Sequence, residues 1–425
     1  MSVDGMLPQA QAAILGGKVV IPNIAVKFVF LSLLLTCSLY GRQLNVPWRL
    51  RAAYFLFVSY LAVDALILLF FWPPYSLEYV LFGYDAYYFF LAAIGVFSLT
   101  GRTLREGALA KATFWIFLPL GVLGIAQHVA GLPLLPVMVG DGAYGYTATS
   151  FTFFGEMRAF SLFADAWEFG VFASLVGCIS LSQVLFTRGG RRGAWAGAFV
   201  FAGVAAYCTL TRMIYLEFLL GCVSVLLIWL ACRSGREGSG IKWLPIAYGI
   251  CAALIVVYAG HLVGNQSGSL NDVESLVGRQ LQWSRYLHAW TAGSFERFLF
   301  GTGVIQNARF QFSRNVVIDN TYLGVATEVG FVGLVLWLYL MWRIWLYLVH
   351  ETVRIPSEVR VALAAFFSTW LATGMFAIVI GQFAVIIWLY LAASPCKPVV
   401  IKSVQLKRAS FVPRGSLQSR ECESG

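Results

Sequence analysis

Apolar runs of membrane-spanning length, about 20 residues each, recur along almost the whole chain and leave little choice of architecture. They fall at Val19–Tyr40, Ala52–Trp72, Glu78–Leu99, Ala112–Gly131, Asp165–Thr187, Ala194–Leu210, Met213–Cys232, Trp243–Val263 and Thr321–Val349. A last run, Val361–Pro395, is too long for one span and reads as a helical hairpin broken near Gly374 or Gly381-Gln382. In hydrocarbon, backbone N–H and C=O groups must be paired within the protein, so such runs are helices. The expected fold is all-α: a polytopic transmembrane helical bundle of about eleven to twelve helices, the twelfth coming from the weakly apolar Met6–Gly17. Composition agrees. With 59% hydrophobic and 12% charged residues, the chain has too little polar surface for a soluble protein of its length.

Lys and Arg cluster in every second connection, at Arg42/Arg49/Arg51, Arg102/Arg105/Lys111, Arg188/Arg191/Arg192, Arg233/Arg236/Lys242 and Arg354/Arg360. The tail, 397–425, carries Lys397, Lys402, Lys407 and Arg408. The positive-inside bias makes these segments cytoplasmic, and they account for most of the net charge of +10 without nucleic acid. The remaining connections then face outward: Pro73–Leu77, Leu132–Ala164, the Thr211-Arg212 turn and Gly264–Asn320. No cleavable signal peptide is expected, because the first apolar segment follows a poorly basic start and leads straight into further spans. Cys37, Cys178, Cys208, Cys222, Cys232 and Cys251 lie in spans and Cys396 and Cys422 in the tail, so neither disulfides nor a thiolate zinc site is expected. Val412-Pro413-Arg414-Gly415-Ser416 reads as a protease-cleavage linker or as native sequence, and the tail takes no part in the functional expectation.

The groups able to do chemistry gather in the two long outer loops and the helix ends beside them. Asp319, Asn320 and Tyr322 place a carboxylate, an amide and a phenol where a basic loop meets an apolar run, a costly position that marks a functional site by default. The same loop carries Arg279, Arg285, Arg297, Arg309 and Arg314 against Asp272, Glu274, Glu296 and Asp319. An outer loop this rich in Arg runs against the positive-inside bias. An anionic ligand explains it, because the guanidinium offers a rigid fork of donors that suits phosphate; lipid headgroups and local ion pairs are the alternatives. Arg279 and Arg285 bound an amphipathic stretch that includes Trp283, and Trp290 follows; these two indoles are candidate sugar platforms. The other outer loop contains Asp141, Glu156 and Arg158. Arg212 stands in a polar break, Thr209-Leu210-Thr211-Arg212, between two apolar runs. It reads as a site residue or as a snorkelling Arg paired with Glu217. Asp319 in turn reads as a reacting group or as the N-cap of the following helix, a job Asn320 or Thr321 could share. His128, His261 and His288 lie on the outer side with no two at a metal-binding spacing, so no metal site is expected. Gly301-Thr302-Gly303 lacks the Gly-Lys-Ser/Thr of a phosphate loop, which argues against an ATP-driven pump.

The order of these elements carries a resemblance. An outer-loop Arg with Ser-Leu-Phe (Arg158 to Phe163) is followed by Thr-Leu-Thr-Arg (Thr209 to Arg212) and an Arg-x-x-x-x-Trp stretch (Arg285 to Trp290). A Gly-x-Gly turn (Gly301, Gly303) and Asp-Asn-x-Tyr-Leu come next, with Glu328, Gly330 and Gly333 beyond. Between about Arg158 and Leu391 the chain resembles the O-antigen ligase and Wzy-type polysaccharide polymerase superfamily of bacterial inner membranes. The resemblance implies metal-independent glycosyl transfer on the periplasmic face, with no cofactor, from an oligosaccharide carried on undecaprenyl diphosphate. The acceptor would be a second lipid-linked repeat in a polymerase or a lipid A core in a ligase, and a chain-length regulator is a further partner the polymerase branch admits.

Under that resemblance Arg212 and Arg285 stabilise the departing diphosphate, Arg158 and Arg279 help to bind it, and Asp319 accepts or orients the proton of the attacking hydroxyl. Asn320, Tyr322, Trp283 and Trp290 would line the substrate, with Glu217 and Glu328 in support. Asp319 stands where the family's ligases carry a His before the Asn, which favours the polymerase branch. A free Asp titrates near 3.9, so it is a weaker base than His at neutral pH. A transporter or lipid-linked saccharide flippase is the reading from another class. It would call for charged groups deep in the spans, for which Lys27 and Asp64 are the main candidates.

Overall fold

A computed structural model describes residues 48–71, 106–132, 134, 152–153, 155–163, 166–234, 240–265, 283–284, 286–288, 290–301 and 320–376. The long helices are α1 (Trp48–Phe71), α2 (Glu106–Ala130), α3 (Ala166–Phe186), α4 (Arg191–Cys208), α5 (Arg212–Ser234) and α6 (Leu244–Asn265), the last led in by a 3-10 turn at Ile241–Trp243. They are followed by the short α7 (Phe295–Phe300), the long α8 (Thr321–Arg354), α9 (Glu358–Phe367) and the single turn α10 (Trp370–Thr373). Among the described residues, five helical stretches are long and apolar enough to cross a membrane: Gly107–Ala130, Ala166–Phe186, Arg212–Ser234, Ile241–Tyr258 and Thr321–Arg354. The chain thus has the make-up of a multi-pass helical membrane protein. The expected spans Val19–Tyr40 and Glu78–Leu99, the candidate Met6–Gly17, the second half of the Val361–Pro395 hairpin and the tail lie outside the described residues. Among the described residues the departure from helix lies inside the first long loop, where β1 (Thr152–Phe153) pairs antiparallel with β2 (Glu156–Met157) around a Gly155 turn of φ 82°.

The core forms around α3, which is buried along most of its length by α4, α5 and α9. Small residues let these helices approach closely. Gly170 faces Ile214 and Cys178 faces Gly221, so α3 and α5 lie side by side and run in the same direction. In α9 every residue from Val359 to Phe367 is buried. That includes Arg360, only 1% exposed, whose Nη1 donates to the Ile355 carbonyl at 3.3 Å. Arg360 is therefore a buried helix residue and not the loop charge its neighbour Arg354 suggests.

The hairpin expected to break near Gly374 or beyond stops being helical earlier, at Ser368 and Thr369. Their hydroxyls donate back to the carbonyls of Ala365 (2.6 Å) and Phe366 (2.8 Å), the local competition with the helical ladder that such side chains offer. Ser368 Oγ also lies 2.7 Å from Ser224 Oγ, which is 2.9 Å from the Tyr248 hydroxyl. The polar break is thus paired within the bundle instead of facing lipid.

The run read as one span from Thr321 is also interrupted. At Gly330 the backbone of α8 takes φ 72°, ψ −178°, a region open in practice to glycine alone. Tyr60 of α1 fills the gap: its hydroxyl donates to the Val329 carbonyl. A break inside a span is tolerated only when neighbours satisfy the freed backbone groups.

Candidate functional site

The strongest local convergence joins two segments that are far apart in sequence. Residues 158–163 form a loop leading into α3, and Cys208–Thr211 form the turn between α4 and α5. The Ala159 amide donates to the Cys208 carbonyl at 2.9 Å, docking loop on turn. Arg158 then reaches across: its Nε donates to the Thr209 carbonyl at 3.1 Å and its Nη2 to Thr211 Oγ1 at 2.6 Å. Thr211 Oγ1 in turn donates to the Thr209 carbonyl at 3.0 Å, closing a three-membered network. The sequence suits this geometry. Thr209 ends α4 with its hydroxyl bonded back to Ala206, and Leu210 takes a left-handed conformation (φ 48°) that reverses the chain before α5.

Arg212, the first residue of α5, is exposed beside this network. Its guanidinium carbon lies 5.7 Å from the centre of the Phe153 ring on β1, so the small hairpin packs over it. Glu217 is 1% exposed and its Oε2 meets no hydrogen-bond donor among the described residues. Five residues along a helix turn the side chain roughly 140° away from Arg212, so the pairing left open by the sequence is not what holds this carboxyl.

The Asp-Asn-x-Tyr stretch sits at the start of α8. Asn320 is its N-cap: extended backbone (φ −153°, ψ 111°) and Oδ1 accepting from the Leu323 amide at 3.0 Å. The cap is thus Asn320 and not Asp319. The Thr321 amide donates to the Gly374 carbonyl at 2.8 Å, and the Tyr322 hydroxyl donates to the Leu371 carbonyl at 2.8 Å. The Tyr322 ring meets Trp337 edge-on, and Trp337 meets Trp370 the same way. These contacts lock the start of α8 onto the segment after α9.

That segment also ties in the other motifs. Phe376 lies against Trp283, ring centres 6.3 Å apart, in an apolar cluster with Tyr248, Ala252 and Ala372 that also packs on Met213, the neighbour of Arg212. Trp290 stacks on Phe298 at 4.8 Å and donates from Nε1 to the Phe298 carbonyl at 3.1 Å, and Phe298 stacks on Phe331. One face of the Trp290 indole is therefore covered by its own chain. Glu328 lies just before the break in α8, its carbonyl against Gly301. Arg279, Arg285 and Asp319 lie outside the described residues, as do Arg309, Arg314 and Lys27. Asp64 is a buried residue of α1, one turn beyond Tyr60.

Gln127, missed in the sequence, and His128, read there only as a histidine of the outer side, prove central to the loop. Gln127, near the end of α2, is fully buried; its Oε1 accepts from the Ser161 amide at 2.7 Å and from the Phe160 amide at 3.3 Å, and its Nε2 donates to the Ser161 carbonyl at 3.1 Å. His128, next in sequence, places Nδ1 2.6 Å from the Met157 carbonyl; the carbonyl can only accept, so Nδ1 carries the proton. A lone amide inside the apolar run Ala112–Gly131 was the available signal for Gln127.

No protein-family model matches the chain, and no curated protein matches it.

Proposed function

We propose that this chain is a periplasm-facing, metal-independent glycosyltransferase of a bacterial inner membrane. It would move a saccharide from undecaprenyl diphosphate to a hydroxyl of a second lipid-linked repeat, polymerising O-antigen, capsule or exopolysaccharide. The observation that carries this reading is the docking of Arg158 on Thr209 and Thr211 beside Arg212. Arg158 from one segment is bonded to the residue next to Arg212 of another, which puts two cationic forks at one end of the helices, an arrangement that suits a diphosphate.

In the proposed step the acceptor hydroxyl oxygen forms a bond to the anomeric carbon while the bond from that carbon to the diphosphate breaks. The lipid diphosphate leaves with the bonding electrons, and the hydroxyl proton passes to Asp319. Arg212 and Arg285 face the charge that develops on the leaving oxygen, where preorganised donors give the largest catalytic return. Arg158 and Arg279 hold the diphosphate. Asn320, by capping α8, and Tyr322, by tying it to Leu371, fix the start of the helix next to Asp319.

Purified protein in liposomes, given a lipid-diphosphate-linked repeat, tests the proposal through its products on a gel. A ladder of lengthened chains supports the polymerase. Transfer only after addition of lipid A core assigns the ligase branch. Movement of saccharide across the bilayer with no new linkage overturns the proposal in favour of a transporter.

A further inference from the structure

We infer that Gln127 is a positioning residue for transfer, acting through the backbone of the 157–161 loop on Arg158; the inference rests on the role proposed above for that guanidinium. A buried primary amide is costly unless its hydrogen bonds are made, so a residue serving only to fill space at this depth would be apolar. Three hydrogen bonds of the Gln127 carboxamide go to the backbone of Phe160 and Ser161. His128 adds a fourth to Met157, on the other side of Arg158. Adjacent residues at the end of α2 thus grip the loop both before and after the single charged residue it carries between Met157 and Phe163.

The loop needs this grip. Ser161 has φ 54°, a left-handed conformation that persists in a non-glycine residue only where the surroundings impose it. The Gln127 carboxamide bonds to both the N–H and the C=O of that residue. Releasing it lets the turn relax, and the shift passes along three residues to the Arg158 side chain, whose bonds to Thr209 and Thr211 depend on where its backbone stands. A misplacement of about 1 Å in a group that orients substrate costs up to about a hundredfold in rate.

The test uses full-length protein in liposomes with the variants Gln127→Ala, Gln127→Glu, Arg158→Ala and the double variant Gln127→Ala/Arg158→Ala. Transfer kinetics are combined with hydrogen exchange of the 157–163 amides. Gln127→Ala is expected to lose about tenfold or more in kcat/KM, and Gln127→Glu, which still accepts from both amides, is expected to lose less. In the Arg158→Ala background the Gln127 substitution should add no further loss, because two residues acting as one unit are non-additive. An equal loss with and without Arg158, or an undiminished rate in Gln127→Ala, overturns the inference. If the unsubstituted protein transfers nothing, the glycosyltransferase proposal fails separately. Exchange then still decides the clamp: faster exchange confined to 157–163 supports it, and unchanged exchange overturns it.

Discussion

Gly301 and Gly330 meet backbone to backbone, each with an extended positive-φ conformation, φ 82° and 72° respectively. A Cβ on Gly301 would stand 2.6 Å from the Gly330 nitrogen, and one on Gly330 would stand 2.5 Å from the Gly301 nitrogen. The contact ties the short helix α7 to the break in α8, with the Phe298–Phe331 stack beside it. Gly330→Ala combines a disallowed backbone region with a backbone clash, and each strained residue of this kind costs about 1–3 kcal/mol before the clash is counted. The expected result is a clear drop in thermal midpoint in detergent. A melt equal to that of the parent protein would contradict the close approach.

The Arg158–Thr211 bond gives a second prediction. Thr211→Val preserves shape but removes the acceptor of the 2.6 Å bond, while the contact with the Thr209 carbonyl stays. Transfer should fall by roughly tenfold or more, in line with about 1.5–3 kcal/mol for a hydrogen bond to a charged group. Arg158→Lys keeps the charge but replaces the rigid planar fork with a flexible point ammonium, and transfer should fall in this variant too. A higher KM for the lipid-linked donor at unchanged kcat in both variants would restrict Arg158 to binding.

Much of the bundle was legible in the sequence because hydrocarbon demands helices and sets their length, so α2, α3, α5, α6 and α8 fall on apolar runs. The interruptions were not. Glycine is common in membrane helices, and nothing local separates Gly330 from its neighbours; its conformation depends on Gly301 of the preceding loop and on Tyr60 of α1. The helical turn α10 ends at Gly374, where a break was expected; the earlier break after α9 was not foreseen, because it rests on the hydroxyls of Ser368 and Thr369. At the site, Arg158, Thr209 and Arg212 stood out singly as polar groups beside spans. That Arg158 grasps the Thr209–Thr211 turn is tertiary information with no periodic trace in the chain.

Asn320 separates helix capping from chemistry. Asn320→Ala removes the acceptor for the Leu323 amide and should cost about 1 kcal/mol of stability, while Asn320→Ser, another good cap, should restore most of it. Thermal melts of the two variants check this. Transfer that recovers along with stability in Asn320→Ser assigns Asn320 to the scaffold; transfer that stays low assigns it to the substrate.

Tyr60 supports the break in α8 from a distance. Tyr60→Phe leaves the Val329 carbonyl without its hydroxyl donor, and a partly buried orphan costs about 1–3 kcal/mol. Hydrogen exchange should quicken at residues 329–334 while α3 remains protected. Exchange unchanged at those amides would remove Tyr60 from this role.

The most direct measurement counts glycosidic linkages formed against undecaprenyl diphosphate released in liposomes, for the parent protein, Arg212→Ala and Asp319→Asn. One lipid diphosphate released per new linkage is predicted for the parent protein, with losses of about a hundredfold or more in both variants. Release without linkage, linkage without release, or full activity in Arg212→Ala would contradict transfer at the Arg158–Arg212 end of the bundle.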